Sequence, residues 1–300
     1  MRRSHLLAGA LYVLFWSSGF VGAELGTRAA PALELLMWRY LIAGPVLLAL
    51  CVVLGRRVRR DVLVRQVLLG VLAQVGYLGP VVYAVGRGVP AGTTALVAAL
   101  QPMVVAVAAG PLLGERVRGP GWAGLATGFV GVGVVVAGDL SAGVGGWWVL
   151  LPLAGVLSLS AGTLLGRRWE PPESLLVSIA IQTSVATVGF TTLNLLLGDP
   201  TVPAGGDFWF AVAWVVVLST FGGYGSYLFV LRSQGATSAS TWLYLSPPVT
   251  MLWAWAKFGD RIGPAAMAGL VVTAAGVALV LRGSSAAPSR KPVEAVCGAT

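Results

Sequence analysis

At 300 residues, with 57% apolar and 10% charged residues and a mean hydropathy of +0.84, the chain has too few charges to cover a water-facing surface; a soluble domain carries about 25%. The net charge of +9 does not mark nucleic-acid binding, because basic residues stand in short clusters between apolar runs rather than in a stripe interleaved with aromatics. Two cysteines, Cys51 in an apolar run and Cys297 in the tail, make neither a disulfide framework nor a thiolate metal site.

The chain opens MRRSHLLAGALYVLFWSSGFVGAELG, with the basic start, apolar core and small-residue stretch of a signal peptide. Its apolar run from Leu6 to Ala23 is 18 residues, enough to span with little tilt, and an even helix count needs it. We read it as a retained first helix, on which Ser17, Phe20 and Glu24 share one face. The second apolar segment, 32–54, carries Glu34 near its outer end and Arg39 about eight residues in, roughly 12 Å deep. A charge at that depth costs at least ~2.5 kcal/mol on insertion scales and needs a cavity or a partner. Two roles stand open for Arg39: counter-charge for a substrate carboxylate or phosphate, or an anchor on backbone carbonyls, Glu24 or Glu34. Glu24 and Glu34 themselves are gate or coupling candidates, with a solvated outer rim as the alternative.

The third segment, 66–85, sets Gln74 and Tyr77 on one face. The fourth, 91–113, does so with Thr94, Val97 and Gln101, ahead of Pro102. Segments 121–138, 147–166 and 174–197 follow, the first of them with Gly121, Gly124, Gly128 and Gly131 as a close-packing stripe. The eighth, 208–231, aligns Thr220, Tyr224 and Tyr227. The ninth, 236–256, holds Trp242, Ser246 and Pro247, and the tenth is 264–281. Each is near the ~20 residues a bilayer requires. Polar groups in hydrocarbon need partners, so Ser17, Arg39, Gln74, Tyr77, Thr94, Gln101, Tyr224, Tyr227, Trp242 and Ser246 are predicted to line an inward cavity; bonding between helices is the alternative. Trp209, Trp214, Trp253 and Trp255 are expected at the membrane interface or facing lipid. Residues 283–300 are predicted to form a disordered cytoplasmic tail.

Residues 92–117 and 237–262 are two copies of one pattern at an offset of 145: Gln101-Pro102 falls on Ser246-Pro247, and Gly114-Glu115-Arg116 on Gly259-Asp260-Arg261. Pro102 and Pro247 each lack a backbone donor and are hinge candidates, with a static packing kink as the alternative. The Glu115-Arg116 and Asp260-Arg261 pairs are expected as helix-end anchors or gate contacts. The repeat divides the chain into 1–144 and 145–282. Five helices per half is odd, so the second half enters the membrane inverted, and a site is expected between the halves. The alternating loops hold 15 Lys and Arg on one side and 4 on the other, which puts both termini in the cytoplasm.

Four stretches carry a resemblance: LFWSSGFVGAEL at 14–25, LLMWRYLIAG at 35–44, YAVGRGVPAGTTALVAALQPMVVAVAAGPLLGERV at 83–117 and YLFVLRSQGATSASTWLYLSPPVTMLWAWAKFGDRI at 227–262. They resemble the drug/metabolite transporter superfamily, EamA type. The resemblance implies an all-α polytopic membrane protein with ten transmembrane helices, in two inverted five-helix repeats around a central cavity. It implies no reaction, only movement of small metabolites or drugs, often outward. The chain departs from the pattern in carrying Asp260 where the family has Glu, and in lacking a clear counterpart of Arg39 in the second half, where Gln182 is nearest.

An intramembrane enzyme would need a catalytic constellation, but the single histidine, His5, sits at a helix end and no paired mid-membrane aspartates exist. No phosphate-binding loop occurs, so no ATP-driven step, cofactor or metal is expected. The expectation is a secondary transporter in a bacterial-type inner membrane, moving amphipathic metabolites such as amino acids, with aromatic or multidrug efflux as the alternative and a non-transporting scaffold or receptor as the remote one. Its partners are a small-molecule substrate and the bilayer, and a homodimer is an open assembly.

Overall fold

The computed structural model describes residues 3–56, 60–113, 119–170, 173–198, 202–234, 242–259 and 262–284, and their regular structure is entirely helical. The first two helices, α1 (Arg3–Ala29) and α2 (Ala32–Val53), match the first two apolar segments. The third expected span is α3 (Arg60–Gly70) and α4 (Gly76–Gly86) joined by a π segment, Val71–Val75. The fourth is α5 (Ala91–Ala98) and α6 (Gln101–Leu113). Then come α7 (Gly119–Ser141), α8 (Leu151–Trp169) and α9 (Leu175–Leu197). A second π segment, Val215–Gly222, links α10 (Gly206–Trp214) to α11 (Gly223–Gln234), and α12 (Ser246–Phe258) and α13 (Pro264–Ser284) complete the chain. Eight described stretches are long and apolar enough to cross a membrane, and Pro264–Gly276 is a shorter apolar helix. Residues 236–241 of the ninth expected span and 285–300 of the expected tail lie outside the described residues.

The offset of 145 recurs in the backbone. The chain turns at Ala99–Leu100 between α5 and α6, and again at Tyr244–Leu245 before α12. Leu100 N–H donates to the Val97 carbonyl at 3.0 Å, and Leu245 N–H to that of Trp242 at 3.0 Å. Val104 to Leu100 at 3.0 Å is matched by Val249 to Leu245 at 3.2 Å. Pro102 and Pro247 therefore open a new helix rather than kink a continuous one. In a first turn the missing N–H has no intrahelical acceptor to lose, so proline is tolerated there. The π segments repeat as well, since Val71–Val75 shifted by 145 falls within Val215–Gly222.

Packing exchanges elements between the halves. α1 lies on the second π segment, α11 and α12, and α8 lies on the first π segment, α4 and α6. The second helices of the two halves, α2 and α9, pack together, and so do the fifth, α7 and α13. The α7–α13 seam is closed by the expected small-residue stripe. A Cβ on Gly276 would stand 2.5 Å from the Gly128 nitrogen and 2.6 Å from the Gly124 carbonyl, and one on Gly131 would stand 2.6 Å from the Thr273 nitrogen. Such backbone approach is how membrane helices associate when hydrophobic burial offers no gain over lipid. The largest cluster of buried side chains gathers Leu35, Leu36, Tyr40, Val82, Phe190, Phe208 and Val215 around the middle of α2, with the Tyr40 and Phe190 rings stacked at 5.5 Å.

Candidate functional site

Two neighbours on α2 reach both π segments. Arg39 is 6% exposed; its Nε donates to Thr220 Oγ1 at 3.1 Å and a terminal nitrogen to Ser219 Oγ at 3.3 Å, both in the second π segment. Tyr40, fully buried, donates its hydroxyl to Gln74 Oε1 at 2.6 Å in the first π segment, and Gln74 Nε2 donates to the Tyr224 hydroxyl at 2.8 Å on α11. A π turn inserts a residue, re-aims the side chains around it and loosens the carbonyl ladder. The loosened carbonyls are occupied: Ser158 Oγ of α8 donates to Leu72 O at 2.8 Å, and Thr220 Oγ1 to Val215 O at 3.0 Å. Arg39 is tied to the second π segment. Its hydrogen bonds go to two neutral hydroxyls, and its guanidinium lies 5.4 Å from the Tyr40 ring centre.

A second group surrounds α1. Ser17 and Ser246 share a hydrogen bond at 3.1 Å between their hydroxyls, and Ser17 also donates to the Ser246 carbonyl at 3.3 Å, fixing α1 to the start of α12. Tyr12 and Trp16 meet edge-on at 5.8 Å; Tyr12 lies 5.7 Å from Tyr227, and Trp16 6.2 Å from Tyr224. Trp242 joins this cluster, its indole occupying the space that a side chain on Gly9 would need. Tyr224 thus belongs to both groups: its hydroxyl ends the polar chain from Tyr40 and its ring faces Trp16.

Of the remaining predicted residues, Tyr77 lies near Arg39, Tyr40 and Tyr224 of the first group, and the others stand elsewhere. Tyr77 packs with Phe20, Val81, Ala91 and Ala95. Gln101 donates to Thr163 Oγ1 of α8 at 3.1 Å. Thr94 is fully buried and its hydroxyl has no hydrogen-bond partner among the described residues; the same holds for Tyr12. Glu24 pairs with Arg28, whose guanidinium lies 4.0 Å above the Phe258 ring, so the C-terminal ends of α1 and α12 are joined. Glu34 is 3% exposed, which corrects the expectation that it reaches water. It sits in the first turn of α2, where backbone N–H groups favour a carboxylate, and neighbouring helices cover it. Trp214, half-buried, is held by its neighbours: its Nε1 donates to the Ser18 carbonyl at 3.0 Å, and its ring meets Trp253 at 5.4 Å. Trp255, 58% exposed, fits the expectation. The Glu115-Arg116 and Asp260-Arg261 pairs lie outside the described residues. Sequence reading passed over Tyr12, Trp16, Tyr40 and Ser219 as site residues; the adjacency of Tyr40 to Arg39 was the signal available for one of them.

The EamA-like transporter family matches residues 3–137 and 146–282. A protein of Escherichia coli K12 described as the uncharacterized inner membrane transporter YedA is 27% identical over 96% of this chain and 94% of its own length. A Streptantibioticus cattleyicolor protein named "Probable terminal-alkyne amino-acid exporter" is 28% identical over 91% of each chain. A solved crystal structure aligns at 22% identity with a TM-score of 0.67, covering 94% of this chain and 98% of that one, a likeness of fold alone.

Proposed function

The chain belongs to the EamA-like transporter family, and from that premise we propose that it is a secondary exporter of small amphipathic metabolites, amino acids or their relatives first. It is a membrane transporter and not an enzyme, as the proteins it resembles are. In this reading ten helices form two five-helix repeats related by a two-fold axis in the membrane plane, with both termini cytoplasmic. The recurrence of break and π segment at one offset supports it, as does the exchange of partners between α1 and α8.

The observation that carries the substrate class is Arg39. A buried guanidinium bonded to two neutral hydroxyls keeps most of its five donors for another acceptor. A carboxylate offers the bidentate, charge-assisted partner that the hydroxyls do not. The aromatic rings of Tyr12, Trp16, Tyr224 and Tyr227 supply an apolar wall nearby, and the unpartnered Tyr12 hydroxyl gives a polar contact to a bound group. Binding at Arg39 draws the guanidinium from Ser219 and Thr220 and so acts on the second π segment, while the helix openings at Pro102 and Pro247 serve as pivots. Glu24 and Glu34, at the outer end, are the gate or coupling carboxylates. The S. cattleyicolor relative, named as an amino-acid exporter, supports both substrate class and direction.

The test is a panel of amino acids and aromatic drugs, measured for uptake and efflux in right-side-out and everted vesicles. Transport of zwitterions abolished by Arg39→Ala supports the reading. Selective transport of a metal ion or a simple quaternary cation overturns it. The aromatic cluster favours a second reading, efflux of aromatic compounds that do not need Arg39, and the same panel separates the two.

A further inference from the structure

A groove of about 500 Å³ opens sideways between α1 and α11. Leu7, Ala8, Leu11 and Phe15 form one wall; Phe221, Gly222, Gly225 and Phe229 form the other, with Ser4 and Ser226 as its polar residues. The helices run antiparallel along it, because Gly222 meets the Phe15 ring at one end while Ser4 and Phe229 share the other. From Ser4 to Phe15 the groove is about 16 Å long at 1.5 Å per residue, roughly one leaflet of a ~30 Å hydrocarbon core. Its walls reach the outside of the bundle, with Leu7 62% and Phe229 57% exposed.

The opening breaks the internal symmetry. Shifted back by 145, Phe221, Gly222, Gly225 and Ser226 fall on Gly76, Tyr77, Pro80 and Val81 of α4. There α8 closes the seam: a Cβ on Gly155 would stand 2.9 Å from the Tyr77 carbonyl and 3.2 Å from Val81. Beyond it, Tyr83 and Trp148 meet edge-on at 5.7 Å, with the Arg87 guanidinium 5.0 and 4.9 Å from their ring centres. The first half fills the place with protein, and the second leaves it lined with apolar side chains.

We propose that this groove is a specific site for one acyl chain of an anionic phospholipid from the adjoining leaflet. The length matches a chain lying along the helices from mid-membrane to the surface. The charge at the surface end is complementary: Arg3 stands in the first turn of α1 and Arg232 in the last turn of α11, the ends between which the headgroup sits. Basic residues next to a spanning helix attract anionic headgroups by about 1 kcal/mol each.

Purified, delipidated protein is titrated with phosphatidylglycerol and, separately, phosphatidylcholine, with bound lipid counted by native mass spectrometry and melting followed in parallel. One phosphatidylglycerol per chain is expected, bound in preference to phosphatidylcholine. A Cβ on Gly225 meets nothing within 4 Å, so Gly225→Phe fills the groove without displacing backbone. That variant loses about tenfold in phosphatidylglycerol affinity, and Ser226→Leu, filling the same space from the next position, gives a second measure if the first melts early. Arg3→Gln with Arg232→Gln lowers the preference for phosphatidylglycerol and leaves a bound chain. Equal retention in well-folded Gly225→Phe and Ser226→Leu overturns the proposal. So does a dimer in the parent protein that Gly225→Phe dissociates, because the groove then holds a second copy. The binding readout needs no transported substrate, so its failure is separate from failure of the exporter reading.

Discussion

Arg39 and Tyr40 make neighbouring positions on one helix answer to different halves of the chain, and their variants are expected to fail differently. Arg39→Lys keeps the charge and loses the planar fork, so ligand affinity falls while folding survives; Arg39→Ala abolishes binding. Affinity and detergent melting measured on the same purified variants check this, and normal affinity in well-folded Arg39→Ala removes the residue from the substrate site. Tyr40→Phe leaves Gln74 Oε1 buried without its donor, which costs about 1–3 kcal/mol. Its melting temperature drops, and a Gln74→Leu background should shrink that drop if the bond is the cause. Legibility at this scale was uneven. Arg39 stood out because a charge in an apolar run is expensive anywhere, whereas Ser219 is one serine among many until a π segment turns it toward the guanidinium. The burial of Glu34 was hidden for a related reason: distance along a helix gives depth but not which neighbour lies across it.

Among the elements, the spans were readable because hydropathy over about twenty residues integrates a strong signal, and the repeat because its two copies share an interval. The π segments were not readable. One inserted residue shifts the 3.6 periodicity by less than the scatter of an apolar sequence, and here it moves Thr220 and Ser219 onto α2. The prolines were readable as special positions but not as helix starts, since the turn that precedes each depends on Leu100 and Leu245, which carry no turn signal of their own. Pro247→Ala is expected to change stability by less than about 1 kcal/mol, as the N–H that alanine restores has no intrahelical acceptor in a first turn. A fall in turnover with melting unchanged identifies a pivot, and unchanged turnover removes Pro247 from that role. At the α7–α13 seam the cost is steric. Gly276→Leu drives a side chain into the backbone of Gly128, so folded protein should be lost from detergent extracts. Gly133→Leu, which meets nothing within 4 Å, is the matched control and should melt like the parent.

For the molecule as a whole, orientation rests on charge counting, and a reporter settles it: fused after Arg282 it should report the cytoplasm, and a periplasmic signal sinks the ten-helix topology. The chain's internal two-fold character is also unequal in chemistry. Arg39 of α2 bonds the second π segment, while the offset of 145 sets Ser184 at its place in α9, where it donates to the Ala180 carbonyl at 2.8 Å and nearby Gln182 donates to Gln66 of α3 at 3.0 Å. In the exporter proposed above, the cargo is then expected to meet a single charged side.

The glycine seam between α7 and α13 sets what can stay still. Helices whose backbones touch at 2.5–2.6 Å from a single added carbon have no room to slide, because any shift along the axis drives Cα atoms into carbonyls. The two fifth helices are therefore expected to act as a stator, with the rocking of the proposed transport cycle carried by α1, α2, α8, α9 and the broken helices around them. Spin labels at Val130 and Val271, both on the outer surface of the pair, should hold one separation through the transport cycle, while a label on α1 moves relative to either.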